Sequence, residues 1–271
     1  MRLLVGTSGF AYKAWKGRFY PKDLKDKDFL SYYGQRFKTV EINNTFYRMP
    51  KREVLEHWCQ SVPEDFVFVL KAPRQITHIK RLKDVAQPVA YFVEQCQAAG
   101  SRLGPVLVQT PNSVRCDLER LDAFLALVPA GLRLAFEFRH ESWFSDEVLC
   151  CLRAHNAALV AMDSDHSTVA GAGAGVGVGE ASEMARVEGA GAADRAWQDL
   201  ARQLRSTSDF GYLRLRGCAY SDEDLSFWLN AVRAQSWREV FIFFKHEDEG
   251  AGPLFASRLL ALSGAPGSAP T

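Results

Sequence analysis

The sequence predicts a single α/β domain built as a (β/α)8 barrel, and three observations carry that prediction. Short β-branched or apolar runs alternate with amphipathic stretches along the whole chain, as a parallel sheet wrapped by helices requires. Eight of each can be counted, beginning with a strand, and 271 residues suit such a barrel. The rival, an open doubly wound sheet, often carries a glycine-rich phosphate turn after its first strand; Gly6-Thr7-Ser8-Gly9 is too short to be one.

The predicted strands are residues 3–6, 39–42, 66–71, 106–109, 133–138, 158–162, 212–215 and 240–244. The first helix, 28–37, sets Phe29, Leu30, Tyr33 and Phe37 at helical spacing. Helices 51–60 and 89–99 follow Pro50 and Pro88, a residue tolerated in a first helical turn. Helices at 118–127, 146–155, 194–205, 222–234 and 253–262 complete the set. Ser145 and Ser221 are expected N-caps, each followed by Asp and Glu where the helix dipole favours negative charge. Residues 169–193 break the alternation. They open on alternating Gly with Ala or Val, which leaves little to pack, and predict a flexible insertion after the sixth strand. A lid over the strand ends is the functional alternative for this segment. Once it is set aside, residues 1–271 have room for one domain.

Composition narrows the function classes. With 33 Lys plus Arg against 32 Asp plus Glu, the net charge of +1 argues against coating nucleic acid by bulk electrostatics. No apolar run reaches the roughly eighteen residues of a membrane span, and no signal peptide is evident, so a cytoplasmic protein is expected. The six cysteines form no Cys-x-x-Cys pair, which favours neither a disulfide framework nor a zinc ribbon.

In a barrel, function collects at the C-terminal strand ends, so the polar residues closing each run are the candidates. They are Glu41 and Asn43 after the second strand, with Tyr47 beyond; Lys71, Arg74 and His78 after the third; and Gln109 after the fourth. Glu137, Arg139 and Trp143 follow the fifth, Asp163 the sixth, Arg214 and Arg216 the seventh, and Lys245 the eighth. Each has a structural reading too, since Glu137 with Arg139 or Arg214 makes a sound ion pair. Collectively they describe a polar cup, because burying so many ions without function costs several kcal/mol apiece. Its basic members exceed its acidic ones by three. Guanidinium forks suit phosphate or carboxylate oxygens, so the expected ligand is a small anionic or phosphate-bearing molecule.

In this reading Glu41, Glu137 and Asp163 supply acid–base chemistry, while Lys71, Arg139, Arg214 and Arg216 hold the anion. Asn43, His78 and Gln109 orient it, and Tyr47, Arg74, Trp143 and Lys245 extend the binding surface. The aromatics Phe10, Tyr12, Trp15, Tyr20, Phe46 and Tyr220 are either further stacking surfaces or loop packing. No Gly-x-Ser-x-Gly or His-Glu-x-x-His motif is present, and no cofactor is predicted. A divalent metal centre contributed from different strands by His140-Glu141, His166 with Asp163 and Asp165, and His246-Glu247 is a lesser alternative without diagnostic spacing.

Several segments carry a family resemblance. Gly6-Thr7-Ser8-Gly9-Phe10, Trp15-Lys16-Gly17 and Phe19-Tyr20-Pro21 open it, followed by Val40-Glu41-Ile42-Asn43-Asn44-Thr45-Phe46-Tyr47. Lys71-Ala72-Pro73-Arg74, Ile76-Thr77-His78, Leu103-Gly104-Pro105-Val106-Leu107-Val108-Gln109, Glu137-Phe138-Arg139-His140 with Trp143, and Tyr212-Leu213-Arg214-Leu215-Arg216-Gly217 continue it. Together they resemble the YecE-like family (domain of unknown function 72) across nearly the whole chain outside the glycine-rich segment. The resemblance implies a TIM-barrel-like fold and no established activity. Where many relatives have Phe-Asn-Asn after the last strand, this chain has Phe244-Lys245-His246, so no role of those asparagines carries over.

The leading functional expectation is an enzyme of hydrolase or lyase type acting on an anionic substrate at the strand ends. Hydride transfer is disfavoured for want of a dinucleotide signature. The contrasting expectation is a binding protein that grips single-stranded nucleic acid or an acidic partner with the same basic, aromatic surface. A metal-dependent hydrolase is the third.

Overall fold

The computed structural model describes residues 1–163, 204–246 and 250–264. The 169–193 segment, most of the helix expected at 194–205, Asp165, His166 and Glu247 lie outside these residues. The described chain is an α/β fold. It runs β1 (Arg2–Thr7), α1 (Phe29–Gly34), β2 (Thr39–Ile42), α2 (Arg52–Gln60), β3 (Val67–Lys71), α3 (Ala86–Cys96), β4 (Leu103–Gln109) and α4 (Leu118–Ala126). It continues through β5 (Leu134–Glu137), α5 (Asp146–Ala154), β6 (Ala158–Leu159), β7 (Ala161–Met162), β8 (Phe210–Leu215), α6 (Asp222–Arg233), β9 (Glu239–Phe244) and α7 (Ala251–Ser263). No helix among the described residues is long and apolar enough to cross a membrane.

Every strand pairing among the described residues is parallel. One sheet has the order β1-β9-β8-β7 and the other β2-β3-β4-β5-β6. The sheets adjoin at two places. Beyond β1 and within β2, Ser8 pairs with Glu41, and the Gly9 amide donates to the Glu41 carbonyl at 2.8 Å. Gly6 allows the approach: a Cβ there would sit 2.2 Å from the Thr39 carbonyl oxygen. At the other seam β6 and β7 are separated only by Val160, whose amide still donates to the Phe136 carbonyl at 2.9 Å. The expected single strand at 158–162 is thus two short ones, the first paired with β5 and the second with β8.

Period-two alternation divides the core into two layers. Leu4, Val67, Val69, Leu107, Ala135, Ala158, Val160, Phe210, Tyr212, Phe241 and Phe243 form one cluster, drawn from both sheets. Their sequence neighbours, among them Val5, Phe68, Leu70, Phe136, Leu213, Ile242 and Phe244, belong to a larger cluster packed against the helices. This alternation aims the polar strand-end residues: Glu41, Lys71, Gln109, Glu137 and Arg214 all continue the face of the smaller cluster.

Helix ends follow local chemistry. Ser221 accepts from the Asp224 amide at 3.1 Å while its own amide donates to the Asp224 carboxylate at 2.8 Å, a reciprocal cap. Ser145 has extended backbone at its helix start, but its hydroxyl accepts no cap bond. α1 is shorter than the expected 28–37, ending at Gly34, whose missing side chain lets Val62 pack close. α3 begins ahead of Pro88, where an absent amide hydrogen costs nothing in the first turn.

Candidate active site at the strand ends

The smaller apolar layer ends in a continuous hydrogen-bonded chain of ionised and amide side chains. Arg214, at the end of β8, lies at its centre. Its Nη2 donates to Glu41 Oε1 at 2.7 Å, and its Nη1 donates to Glu137 Oε2 in a short ion pair. All three side chains are buried. Glu41 also accepts from the Tyr212 hydroxyl at 2.6 Å and from Asn43 Nδ2 at 3.2 Å. Glu137 Oε1 accepts from Arg216 Nη2 at 2.9 Å, Arg139 Nη2 at 3.2 Å and Gln109 Nε2 at 2.5 Å. Gln109 Oε1 in turn accepts from Lys71 Nζ at 2.8 Å. Gln109 and Glu137 are partners in the β4–β5 register, so strand pairing itself sets that link.

The loops complete the arrangement. Thr45 Oγ1 donates to the Lys71 carbonyl at 2.6 Å and ties the β2 loop to the end of β3. Lys71 Nζ rests 4.2 Å from the centre of the Phe46 ring. His78, on a single π-helical turn (Gln75–Ile79), packs edge-on against the same ring at 4.7 Å, with Nδ1 2.8 Å from Thr77 Oγ1.

The electrostatics assign protonation states. Burial opposes ionisation of Glu137, but Arg214, Arg216 and Arg139 outweigh it and hold its carboxyl at about 2. Burial likewise opposes ionisation of Glu41, and Arg214 with the Tyr212 hydroxyl holds it below the usual carboxylate range. Both are therefore anionic at neutral pH. Arg214 stays charged: its own desolvation is overcome by the two carboxylates. Lys71 is brought down to about 8, first by burial and then by Arg214. Burial, then Lys71, Arg74 and Arg139, lower the His78 imidazole. Burial of Asp163 raises its carboxyl.

Glu41, Asn43, Lys71, Gln109, Glu137, Arg139, Arg214 and Arg216 thus meet in one network. Their depressed values make Glu41 and Glu137 fixed anions that position guanidinium groups, and weak proton carriers. Asp163 joins separately. It accepts from the Arg216 amide at 2.5 Å, from the Gly217 amide at 3.3 Å and from the Tyr220 hydroxyl, bracing the turn that carries Arg216. Arg74 and Lys245 are exposed beside this network, and their charges act on His78 and Lys71 respectively. Tyr47 is 79 % exposed.

Trp143 is a correction. It is fully buried, stacked on Phe138 at 4.3 Å with nearly parallel rings, and its Nε1 donates to the Val114 carbonyl at 2.8 Å. It is core packing and offers no surface to a ligand. Trp15, Tyr20 and Tyr220 are buried as well. Conversely, Tyr212 escaped sequence reasoning because it reads as an apolar strand residue. Its signal was its period-two relation to Arg214. A cavity of about 460 Å³ adjoins the network at Arg139, lined also by Glu141 and Arg205 and by apolar residues that include Phe144, Leu149 and Met162. Among the described residues, candidate metal ligands gather in a group of three at Asp122, Cys151 and His155, on the exterior of α4 and α5. No such group lies at the strand ends among those residues.

The comparisons bear on this arrangement. The family model described as "Protein of unknown function DUF72" matches residues 4–270. The chain belongs to the DUF72 family. The UPF0759 protein YecE of Escherichia coli (strain K12) is 31% identical over 117 residues, 43% of this chain and 43% of that protein. The UPF0759 protein YunF of Bacillus subtilis (strain 168) is 27% identical over 135 residues, 46% of this chain and 48% of that protein. The chain therefore spans under half the length of the curated relatives it matches. A crystal structure of a DUF72 family protein from Thermotoga maritima MSB8 superposes with a TM-score of 0.74 at 26% identity, covering 97% of this chain and 100% of that one. A DUF72 structure from Enterococcus faecalis V583 gives 0.73 at 16% identity over 98% and 97%, a likeness of fold. None of these names carries an activity.

Proposed function

We propose that this DUF72 chain is an enzyme of hydrolase or lyase type that binds a phosphate-bearing or otherwise anionic small molecule at the C-terminal strand ends of one (β/α)8 barrel. The Ser8–Glu41 pairing and the single-residue step at Val160 support reading the two sheets as one ring and the chain as one domain. One observation carries the functional reading. Glu41 and Glu137 share a hydrogen-bonded network with Arg139, Arg214, Arg216 and Lys71. Four cationic side chains against two carboxylates leave an excess that an anion offsets, with Arg74 and Lys245 adding to it nearby.

Accessibility supports the same reading. The Arg139 side chain is 40 % exposed and that of Arg216 24 % exposed, while Arg214 behind them is buried. The Nε of Arg216 is itself buried, so the exposed part of its guanidinium is what a ligand oxygen would meet. Burial of Trp15, Tyr20, Phe46, Trp143 and Tyr220, five of the eight candidate aromatics, removes most of the stacking platform that single-stranded nucleic acid requires, so a small molecule is the better fit. Six free cysteines suit a reducing compartment, and the reading places the protein in the cytoplasm.

Titration calorimetry with inorganic phosphate tests the site. The reading expects saturable binding that falls at least tenfold, about 1.4 kcal/mol, in Arg216→Ala. An oligonucleotide that binds more tightly than phosphate, with a steep salt dependence, would overturn it in favour of a nucleic-acid surface.

A further inference from the structure

We infer that Lys71 is a nucleophile of this site, forming an imine with the carbonyl carbon of a small phosphorylated or otherwise anionic aldehyde or ketone. The inference deepens the anion-binding reading and rests on it for the substrate's charge.

Lys71 is set apart from the other cations by its surroundings. Arg139, Arg214 and Arg216 all donate to carboxylates, whereas Nζ of Lys71 donates to the neutral side-chain amide oxygen Oε1 of Gln109 at 2.8 Å. Glu41 and Glu137 are taken up by guanidinium groups, so the ammonium gains their attraction only at longer range. The residue is 9 % exposed, and Arg214 and Lys245 add repulsion to its desolvation. Near pH 7 about a tenth of it is free amine, given its value of about 8. Its backbone is fixed by Thr45, and the Phe46 ring faces Nζ at 4.2 Å. That ring stabilises a cation at this position whether it is the ammonium or a protonated imine.

The step balances with no further reagent. The Nζ lone pair forms a C–N bond to the carbonyl carbon. The carbonyl oxygen takes one proton from Nζ and one from solvent and leaves as water, giving a protonated imine. Arg139 and Arg216 sit on the same network to hold the substrate's anionic group. The iminium then withdraws electrons from the adjacent carbon, the chemistry by which a lyase breaks a bond there.

Reductive trapping tests this. The purified full chain is incubated with glycolaldehyde phosphate and cyanoborohydride, in parallel with uncharged glycolaldehyde, and the adducts are mapped by peptide mass spectrometry. The expected result is an adduct concentrated on Lys71 and suppressed by inorganic phosphate. It should form at least roughly tenfold faster than on exposed lysines, because the free-amine fraction is about a few hundredfold larger than for an ordinary lysine and the lower basicity of the amine offsets only part of that gain. Lys71→Arg should abolish the adduct in a protein whose circular dichroism shows it folded, and Lys83→Arg should leave it unchanged. Calorimetric phosphate binding with no adduct on Lys71 overturns the nucleophile and leaves the anion site standing. Equal labelling of Lys71 by both aldehydes, with no phosphate affinity, retains the nucleophile and overturns the anion site.

Discussion

At the scale of single residues, Arg214 determines the behaviour of its neighbours. A buried guanidinium between two buried carboxylates is stable only as a set, because each ion's desolvation is offset by the others. Arg214→Met should therefore leave Glu41 buried without a counter-charge, and Glu137 with only Arg139 and Arg216, and lower unfolding stability by about 3–5 kcal/mol in urea denaturation. The pH dependence has a definite sign. The Glu137 carboxyl is lower in the folded protein, at about 2, than its ordinary value near 4.5. Its ionised form thus stabilises the fold above the ordinary value, and that contribution is lost as pH falls toward 2. In the Glu137→Gln protein this loss should be absent, so the gap in stability between wild type and variant should narrow steadily over that window.

Much of this was legible at the residue level. Reading the last polar residue of each run put Glu41, Lys71, Gln109, Glu137 and Arg214 at strand ends; that all five continue one face is a finding of the structure. Which atoms pair was not legible, because pairing depends on register between strands far apart in sequence. Trp143 was misread for a related reason: its distance from Glu137 along the chain does not say which side of the loop meets the core.

Among elements, the most informative feature is the break at Val160. Ala158 to Met162 reads as one uninterrupted apolar strand, and nothing in its composition marks the point where pairing passes from β5 to β8. That transfer is a property of sheet geometry, invisible to periodicity. Helix caps were easier to read, since a cap is local, and they also show the limit of local reasoning. Ser221 and Ser145 precede similar acidic turns, yet Ser221 alone makes the cap bond. Ser221→Ala should cost about 1 kcal/mol, and Ser145→Ala a few tenths, in matched thermal or urea unfolding. Equal losses would mean that the dipole interaction, common to both helices, outweighs the hydroxyl.

For the whole molecule, the alternation of strands and helices made the α/β class and parallel pairing legible from sequence. The proposal that both sheets form a single ring makes a cooperative prediction. The slowest-exchanging amides of β3 and β9 should share one opening free energy in native-state hydrogen exchange, and lose it together in Gly6→Val, where the added side chain drives β1 from β2. Two separate free energies would indicate two independent units. The nearly neutral total charge conceals the electrostatic feature on which the functional account depends, a cationic excess in the strand-end network. Anomalous diffraction from crystals soaked in tungstate, a heavy tetrahedral anion, tests that feature most directly. The account predicts the strongest peak within hydrogen-bonding distance of Arg139 and Arg216. A strand-end site free of tungstate, with peaks only on outer helical surfaces, would contradict it.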